Sequence, residues 1–268
     1  MITASFRHLH GLGPLRERQL WAKGVTGWDK LPAGDILSPR LDDRLRAGVK
    51  QSVEHFAAGD LDWFARLLPE TEHWRLLPHL LADAAFIDVE VGSSPEELAV
   101  IGVMDAQGVR AFVRGKDLHE FPARAAAWRC LVSFNGLGFD VPAVRRAFPG
   151  WKPPAAHVDL HHAYARLKEP GGLKALEARL GMFRPPHLAK LSGRDAIALW
   201  GMEQRGDPAA LRRLVEYNLY DVFHLKPLAE LAYNRLLKRT GMPAEPIEVT
   251  ERGALLYDVS RAVEAAVR

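Results

Sequence analysis

The pattern of apolar and polar residues changes along the chain and divides it into zones. Residues 1–80 are rich in Trp, Leu and Arg and predict helices. Residues 84–159 contain short apolar runs bounded by turn residues, which predict strands. From about residue 160 the apolar residues recur at helical spacing. We therefore predict a helical region at 1–80, a core domain at 81–240, and a linker with a final helix at 241–268.

The order of these elements indicates an α/β fold. Two strand-like runs flank a hairpin signal at Ala106–Gly108, and the shorter runs CLVSFN and HVDL follow. GGLKALEARLG then has helical spacing, with Gly181 where a C-terminal cap is expected. A longer amphipathic segment opens with Asp207-Pro208, a typical helix start. Strands followed by strand–helix alternation and then helices predict a mixed β-sheet flanked by helices.

Composition narrows the class of protein only slightly. The 36 Lys and Arg against 33 Asp and Glu give a net charge of +3, which is compatible with a polyanionic partner without indicating one. Apolar runs stay well short of the roughly 18 residues of a membrane span, and the N-terminus lacks a secretory pattern. Cys130 lies in an apolar run and predicts a buried thiol. We expect a cytoplasmic protein without membrane association, and a monomer by default.

Two acids interrupt the first predicted strand, AFIDVEV. Because side chains alternate along a strand, Asp88 and Glu90 share a face while Ile87, Val89 and Val91 point the other way. Two such carboxylates repel each other and lose hydration, and a divalent cation such as Mg²⁺ or Mn²⁺ would remove that cost. The alternative is an edge strand whose polar face meets water.

A second group of polar residues follows the strand CLVSF, in the sequence NGLGFD. Turns at the carboxyl ends of strands are where open α/β sheets place their sites. Gly136 and Gly138 would let the backbone approach a ligand closely. Asp140 is then a candidate ligand-binding acid, or it simply caps a helix.

A third pair lies on the long amphipathic segment. Tyr217 and Asp221 are one helical turn apart at the border of its apolar stripe, and Asn218 falls within that stripe. The pair could supply a water-positioning hydroxyl and a metal ligand. An exposed Tyr–Asp pair on the rim of the helix is the alternative.

Taken in order, these three motifs resemble those of the DEDD exonucleases of the RNase H-like superfamily. The sequence is most similar to the predicted exonucleases called YprB-type, with DLHHAYARL, GGLKALEARLG and GDPAALRRLVEYNLYD also in register. The resemblance covers roughly residues 84–232. It departs at Val91, where the family often has Thr after the Glu. The four acids and the tyrosine are all present.

The resemblance implies a 3′→5′ exonuclease with two Mg²⁺ or Mn²⁺ ions and nucleic acid, single-stranded DNA or RNA 3′ ends, as its partner. Asp88 would bridge both ions, Glu90 and Asp221 would complete one site, and Asp140 would support the other. Tyr217 would orient or help deprotonate the attacking water.

Other residues near these motifs are predicted either to contact nucleic acid or to have structural roles. Asn135 and Lys174 are predicted to contact nucleic acid. The histidines of HVDLHHAY and the acid among them are assigned to packing and hydrogen bonding. These are His157, Asp159, His161 and His162.

The N-terminal sequence LHGLGPLRERQLW resembles one helix-hairpin-helix element, a sequence-independent DNA-binding module. The resemblance predicts that Gly11 and Gly13 present backbone N–H groups to phosphate, and that Leu15 and Leu20 face inward. A single copy could equally serve only to pack the N-terminal helices against the core. A non-catalytic nucleic-acid-binding protein that retains the fold is therefore the alternative function, and a structural protein with an acidic rim is the third hypothesis.

Overall fold

A five-stranded mixed sheet forms the centre of the molecule. The computed structural model describes residues 1–94, 96–250 and 259–268. The strands are β1 (Ala84–Val91), β2 (Leu98–Asp105), β3 (Gly108–Val113), β4 (Cys130–Ser133) and β5 (Ala156–Asp159). Their order is β3-β2-β1-β4-β5, with β1, β2 and β3 antiparallel and β1, β4 and β5 parallel. The predicted mixed α/β sheet, including the hairpin between β2 and β3, is confirmed.

Helices surround the sheet and fill most of the N-terminal zone. The α-helices are α1 (Pro14–Ala22), α2 (Pro39–Ala57), α3 (Leu61–Leu67), α4 (Leu77–Leu80), α5 (Phe121–Ala125), α6 (Asp140–Ala147), α7 (Leu160–Arg166), α8 (Leu173–Leu180), α9 (Pro186–Ala189), α10 (Gly193–Glu203), α11 (Pro208–Thr240) and α12 (Ser260–Val267). Short 3-10 helices span Ile2–Ala4, Trp28–Lys30, Glu70–Leu76, Leu81–Asp83 and Leu118–Glu120. Within the described ranges, no helix is both long enough and apolar enough to span a bilayer.

The two faces of the sheet are covered by different helices. On one face, Phe86 of β1 shares an apolar cluster with Val222 and Leu225 of α11. On the other face, Ile87 and Val89 pack with α5 and α6. Side chains alternate along β1, so its even-numbered residues face α11 and its odd-numbered residues face the opposite core. This alternation places Asp88 and Glu90 on the α11 side.

The N-terminal helical zone shares its core with the sheet. Its buried apolar residues belong to the same cluster as β4, β5 and the second half of α11. Trp28 stacks on Phe64 inside this zone, with ring centroids 5.5 Å apart. The prediction for α1 is half right, because Leu20 is fully buried whereas Leu15 is 63% exposed. Glu17 takes the inward position instead of Leu15.

Glu17 is buried because an arginine holds it there. Arg75 donates from Nη2 to Glu17 at 2.9 Å and from Nε to Glu72 at 2.6 Å, and all three side chains are almost fully buried. Arg166 of α7 bonds the other oxygen of Glu72 at 2.8 Å. These four residues, the Arg75 network, tie the N-terminal helices to the core domain with paired charges.

The C-terminal segment predicted as a linker and a helix is described in part. Residues 251–258 lie outside the described residues, and α12 follows from Ser260. This helix packs beside β3 and α11, with Val263 and Ala266 in the α10–α11 core.

Candidate active site

Strand β1 presents two carboxylates to α11. Asp88 pairs with Gly102 of the neighbouring strand β2, and Glu90 pairs with Val100. The register then shifts between Glu90 and Val91, a β-bulge of the kind that re-aims side chains beside active sites. Val91 packs against the apolar cluster on the other face, away from the carboxylates.

Helix α11 supplies the third carboxylate. Tyr217, Asn218 and Asp221 are buried, rather than lying on an exposed helix rim. One oxygen each of Asp88, Glu90 and Asp221 lies within 4.8 Å of the others. These three residues, the carboxylate cluster, come from two elements more than 130 residues apart along the chain and form a set of oxygen donors that suits a divalent cation.

An amide group fixes Asp88 within this cluster. Asn218 donates from Nδ2 to the backbone oxygen of Asp88 at 3.1 Å and to its Oδ2 at 2.7 Å. A Cβ at position 102 would lie 2.1 Å from Asn218 Oδ1 and 2.9 Å from Val222. Gly102 therefore provides the space through which Asn218 reaches Asp88.

The fourth predicted acid lies beside the cluster rather than in it. Asp140 is the first residue of α6, and the Val89 backbone N–H hydrogen-bonds its side chain. Its Oδ2 would be only 3.1 Å from a Cβ at position 136, so Gly136 permits this close approach. Among the described residues, the group within 4.8 Å contains Asp88, Glu90 and Asp221 but not Asp140.

Burial raises the pKa of all four carboxyl groups and so disfavours their ionised form. Burial raises the pKa of Asp88 well above its usual value, and repulsion from Asp221 and Glu90 adds to the shift. Burial and repulsion from Asp221 likewise raise the pKa of Glu90 well above its usual value. Burial raises the pKa of Asp140 to about 7. A bound cation would offset this repulsion, so the electrostatics favour cation binding.

Asp88 and Asp221 of the cluster line a cleft of about 330 Å³. The beginnings of α8 and α10 line it through Gly172, Lys174 and Gly193, opposite Phe134 of the β4 turn. Lys174 places its ammonium 4.4 Å from the centre of the Tyr217 ring. The cleft therefore combines two carboxylates with a lysine and the uncapped N-terminus of α8, groups that suit a phosphate-bearing substrate, whereas Ser192 and Asp195 already cap the start of α10.

Comparison with known protein families identifies the domain that carries this cleft. The model of the RNase H superfamily matches residues 85–233, which is more than half of the chain. The chain belongs to the RNase H superfamily. Enzymes with this RNase H fold are generally nucleases.

A solved structure offers a weaker likeness. A family B DNA polymerase from the hyperthermophilic archaeon Pyrobaculum calidifontis aligns over 63% of this chain and 30% of its own, at 19% identity and a TM-score of 0.41. The aligned part is thus under a third of the polymerase's length, and a likeness this low adds nothing to the family assignment. A search of curated proteins found no match.

The RNase H domain also contains an arginine that the sequence patterns did not reveal. Arg184 lies between α8 and α9 and bonds Asp221 Oδ1 through Nη2. It also bonds Glu177 of α8, through Nε at 2.8 Å and Nη2 at 2.5 Å. Burial raises the pKa of Asp221 even though this guanidinium lies against it.

The remaining residues of the NGLGFD turn have distinct positions. Asn135 is exposed and adopts a positive φ of 64°, a conformation that asparagine tolerates better than most residues. Its backbone N–H and that of Leu137 donate to Asp159 at 2.9 and 3.1 Å. Asp159 thereby holds the turn that leads into Asp140, which is the structural role predicted for it.

The three neighbouring histidines do not form a metal site with the carboxylates. His157 is buried and bonds Ser133 at 2.7 Å, and its backbone N–H donates to His73. His161 packs edge-on against Phe134, and His162 packs beside it. His157 therefore has the packing and hydrogen-bonding role predicted for it, whereas His161 and His162 make ring contacts and the buried Nδ1 of His161 has no hydrogen-bond partner in the part of the chain that the structure describes.

The N-terminal glycine pair lies on a separate cavity of about 470 Å³. Gly11 and Gly13 line it together with Arg7 and His10, and none of these residues lines the carboxylate cleft. Gly11 adopts a positive φ of 84°, and α1 begins directly after Gly13. The predicted binding of nucleic acid at this turn stays a prediction.

Proposed function

We propose that this chain is a divalent-metal-dependent 3′→5′ exonuclease of the DEDD type, similar to the YprB-type enzymes. Its substrates would be the single-stranded 3′ ends of DNA or RNA. The observation that carries the proposal is the convergence of Asp88, Glu90 and Asp221 within 4.8 Å in an RNase H domain, with Asp88 and Asp221 lining a cleft.

The donor set fits Mg²⁺ or Mn²⁺, because it consists of carboxylate oxygens without sulfur or imidazole ligands. Asp88, Glu90 and Asp221 would hold one ion, and Asp88 with Asp140 a second. Divalent ions supply two effects to phosphodiester hydrolysis: they make water a better nucleophile near neutral pH, and they stabilise charge on the leaving oxygen.

Tyr217 is suited to orient water rather than to remove its proton. Burial raises the pKa of this phenol, and repulsion from Asp221 and Glu90 adds to the shift. The hydroxyl therefore keeps its proton at neutral pH and can donate a hydrogen bond to a water or to a substrate oxygen. This favours the first of the two roles that the resemblance implies.

Substrate phosphates would be bound at the mouth of the cleft. Lys174 provides a positive charge, and the start of α8 at Gly172 carries no side-chain cap, so its backbone N–H groups remain for an anion. Asn135, exposed at the β4 turn, would contact the sugar or a base of the terminal nucleotide. Gly11 and Gly13 would give the strand a second, sequence-independent contact.

The test is hydrolysis of 5′-labelled single-stranded DNA and RNA with Mg²⁺ or Mn²⁺. A ladder that shortens from the 3′ end is expected, with 5′-mononucleotides as products. EDTA, Asp88→Asn and Asp221→Asn should each abolish it. Asp42→Asn is the matched control, because Asp42 is also buried but accepts hydrogen bonds from Ile36 and Leu37 in the N-terminal zone.

Polarity is tested with the same strands carrying a 3′-terminal phosphorothioate linkage. This block should slow the ladder, whereas a block at the 5′ end should not. Absence of cleavage, together with nucleic-acid binding that survives EDTA, would contradict the proposal and support the non-catalytic binding protein instead.

A further inference from the structure

Arg184 contacts the carboxylate cluster through Asp221, and it is itself held by a ring of side chains. Its side chain is 4% exposed. Glu177 accepts its bidentate bond and also accepts a hydrogen bond from His224 Nδ1 at 2.8 Å. His224 follows Asp221 by three residues on the same helix, one turn away.

These contacts therefore form a closed ring of hydrogen bonds. From α11 they run through Asp221 to Arg184, then to Glu177 of α8, and back to α11 through His224. We call these four residues the Arg184 ring. Every bond in the ring joins buried, charged or polar groups, and such linked bonds polarise and stiffen one another. The loop before α9 and helix α8 are thereby locked to the helix that carries Asp221.

The ring fixes the orientation of one cation ligand. Arg184 binds Oδ1 of Asp221, and one oxygen of this carboxylate lies within 4.8 Å of an oxygen of Asp88 and of Glu90. Groups that hydrogen-bond a metal-ligating carboxylate hold it in the binding orientation, and their loss weakens metal binding. Asn218 has the corresponding position beside Asp88, where it binds Oδ2.

A buried arginine bound to two acids is not by itself evidence of such a role. Arg75 has the same arrangement, with its side chain 1% exposed between Glu17 and Glu72. The difference is that neither partner of Arg75 belongs to the carboxylate cluster. The two arginines are therefore a useful comparison, since both are buried and bound to two acids, although Nη1 of Arg75 also bonds Ser5 and Glu17 whereas Nη1 of Arg184 has no hydrogen-bond partner among the described residues.

We propose that Arg184 is a positioning residue, which together with Glu177 and His224 sets Asp221 for divalent-cation binding. This inference rests on the proposed function only in taking the carboxylate cluster as a cation site. It adds a residue outside the four acids and the tyrosine whose loss weakens the cation affinity of a folded protein.

The test is titration of the full chain with Mn²⁺ alone, without nucleic acid, by electron paramagnetic resonance of the free ion. Arg184→Lys and Arg184→Gln are compared with Arg75→Lys, and folding of each is checked by thermal denaturation. We expect Arg184→Gln to weaken Mn²⁺ binding by about 10- to 100-fold. Arg184→Lys should fall between it and the wild type, since lysine keeps the charge but not the forked geometry.

Arg75→Lys should lower the melting temperature and leave the Mn²⁺ affinity unchanged. Glu177→Gln, which keeps the shape of the ring and loses its charge, provides a second variant if Arg184→Gln does not fold. It should weaken Mn²⁺ binding in the same direction by a smaller factor.

Two results would overturn the inference. Unchanged Mn²⁺ affinity in the folded Arg184 and Glu177 variants would make the ring purely structural, and tighter binding would make Arg184 a competitor of the cation. Both leave the proposed nuclease intact, because the wild type still binds Mn²⁺. Failure of the wild type itself to bind Mn²⁺ would instead overturn the proposed function along with the inference.

Discussion

Acidic side chains are buried in two regions of this molecule, and their surroundings differ. In the Arg75 network, Glu72 lies among three arginines, Arg7, Arg75 and Arg166. Burial alone would raise its pKa, but the charges and hydrogen bonds of Arg75 and Arg166 outweigh it and hold the pKa below its usual value. In the carboxylate cluster, burial and mutual repulsion push the pKa of Asp88 and Glu90 well above the usual range.

The difference matches a structural role for the charges around Arg75 and the functional role that we propose for the carboxylate cluster. Around Arg75, three arginines face two glutamates, because Arg7 also lies 3.5 Å from Glu72, and the fold supplies its own counter-charges. At the cluster, Arg184 is already shared with Glu177, so the negative charge of the remaining acids is left for something from outside to neutralise. Buried groups that destabilise a fold in this way are typical of functional sites.

The largest effect on activity is expected when the charge of Asp88 is removed. Asp88→Asn should lower the hydrolysis rate by more than about a hundredfold, because changes to groups behind a metal ligand already lower metal affinity or activity by 10- to 100-fold. The same variant should be more stable than the wild type in EDTA at pH 8, since it removes a buried charge that repels its neighbours. The hydrolysis rate and the stability to urea are measured on the same preparation of each protein. A less stable Asp88→Asn would contradict this account of the cluster.

The opposite pattern is expected from Glu72→Gln. Removing one partner from a buried ion pair typically lowers the free energy of unfolding by about 3–5 kcal/mol, because the arginines are left buried with less compensation. Activity per folded molecule should stay at the wild-type value. Urea denaturation measures the stability, and a nuclease assay at a urea concentration well below the unfolding midpoint measures the activity. A loss of activity without a loss of stability would contradict this expectation.

Gly102→Ala tests the space that Asn218 needs. The added methyl would lie 2.1 Å from Asn218 Oδ1, so we expect a loss of about 1–3 kcal/mol in stability from overpacking. Displacing Asn218 from Asp88 should also weaken Mn²⁺ binding. Gly150→Ala is the control, because no atom lies within 4 Å of a Cβ there. Equal Mn²⁺ affinities in the two variants would show that Asn218 does not position Asp88.

The pH dependence of stability should also distinguish Glu72 from the carboxylate cluster, although burial raises the pKa of Glu17 in the Arg75 network as it does in the cluster. Asp140 has an ordinary pKa of 3.8, raised to about 7 in the folded protein, so the folded state binds more protons between these values. The stability that this proton provides is present at low pH and is lost as pH rises through that window.

The pKa values of Asp88 and Glu90 are raised, like that of Asp140, whereas the pKa of Glu72 is lowered. In EDTA, the stability of the wild type should therefore fall more steeply with rising pH than that of Asp140→Asn, from about pH 4 to 7. Adding Mg²⁺ should reduce the fall, because the ion binds the ionised carboxyls. Parallel curves for the two proteins in EDTA would contradict the raised pKa of Asp140.

The smallest effect is expected at the mouth of the cleft. Lys174→Met removes a charge that lies over Tyr217 but is not a ligand of the cluster. We expect KM for single-stranded DNA to rise several-fold with kcat nearly unchanged, as for a phosphate contact made equally in the ground and transition states. A fall in kcat at constant KM would place Lys174 in the chemical step instead.

Sequence patterns were sufficient for the sheet and for bringing the acids together. The alternation in β1 predicted the shared face of Asp88 and Glu90, and the strand-end turn predicted the position of Asp140. Helical spacing placed Tyr217 and Asp221 together. These inferences depend on periodicity and on local turn chemistry, both of which a single sequence shows directly.

Contacts between distant segments were not predictable in this way. Arg184 follows α8 in a stretch without periodicity, and nothing local indicates that it reaches Asp221, 37 residues later. The role of Gly102 depends on the register between β1 and β2. Leu15 was predicted to face inward, but α1 is only nine residues long, and the tertiary partner Arg75 draws Glu17 inside instead.

The most direct test of the central claim is a crystal of the protein soaked in Mn²⁺, with diffraction recorded at a wavelength where manganese scatters anomalously. We expect an anomalous peak within coordination distance of Asp88, Glu90 and Asp221, and no such peak in crystals of Asp88→Asn treated identically. A wild-type crystal that shows no peak at these three carboxylates would contradict the claim, whether or not Mn²⁺ binds elsewhere.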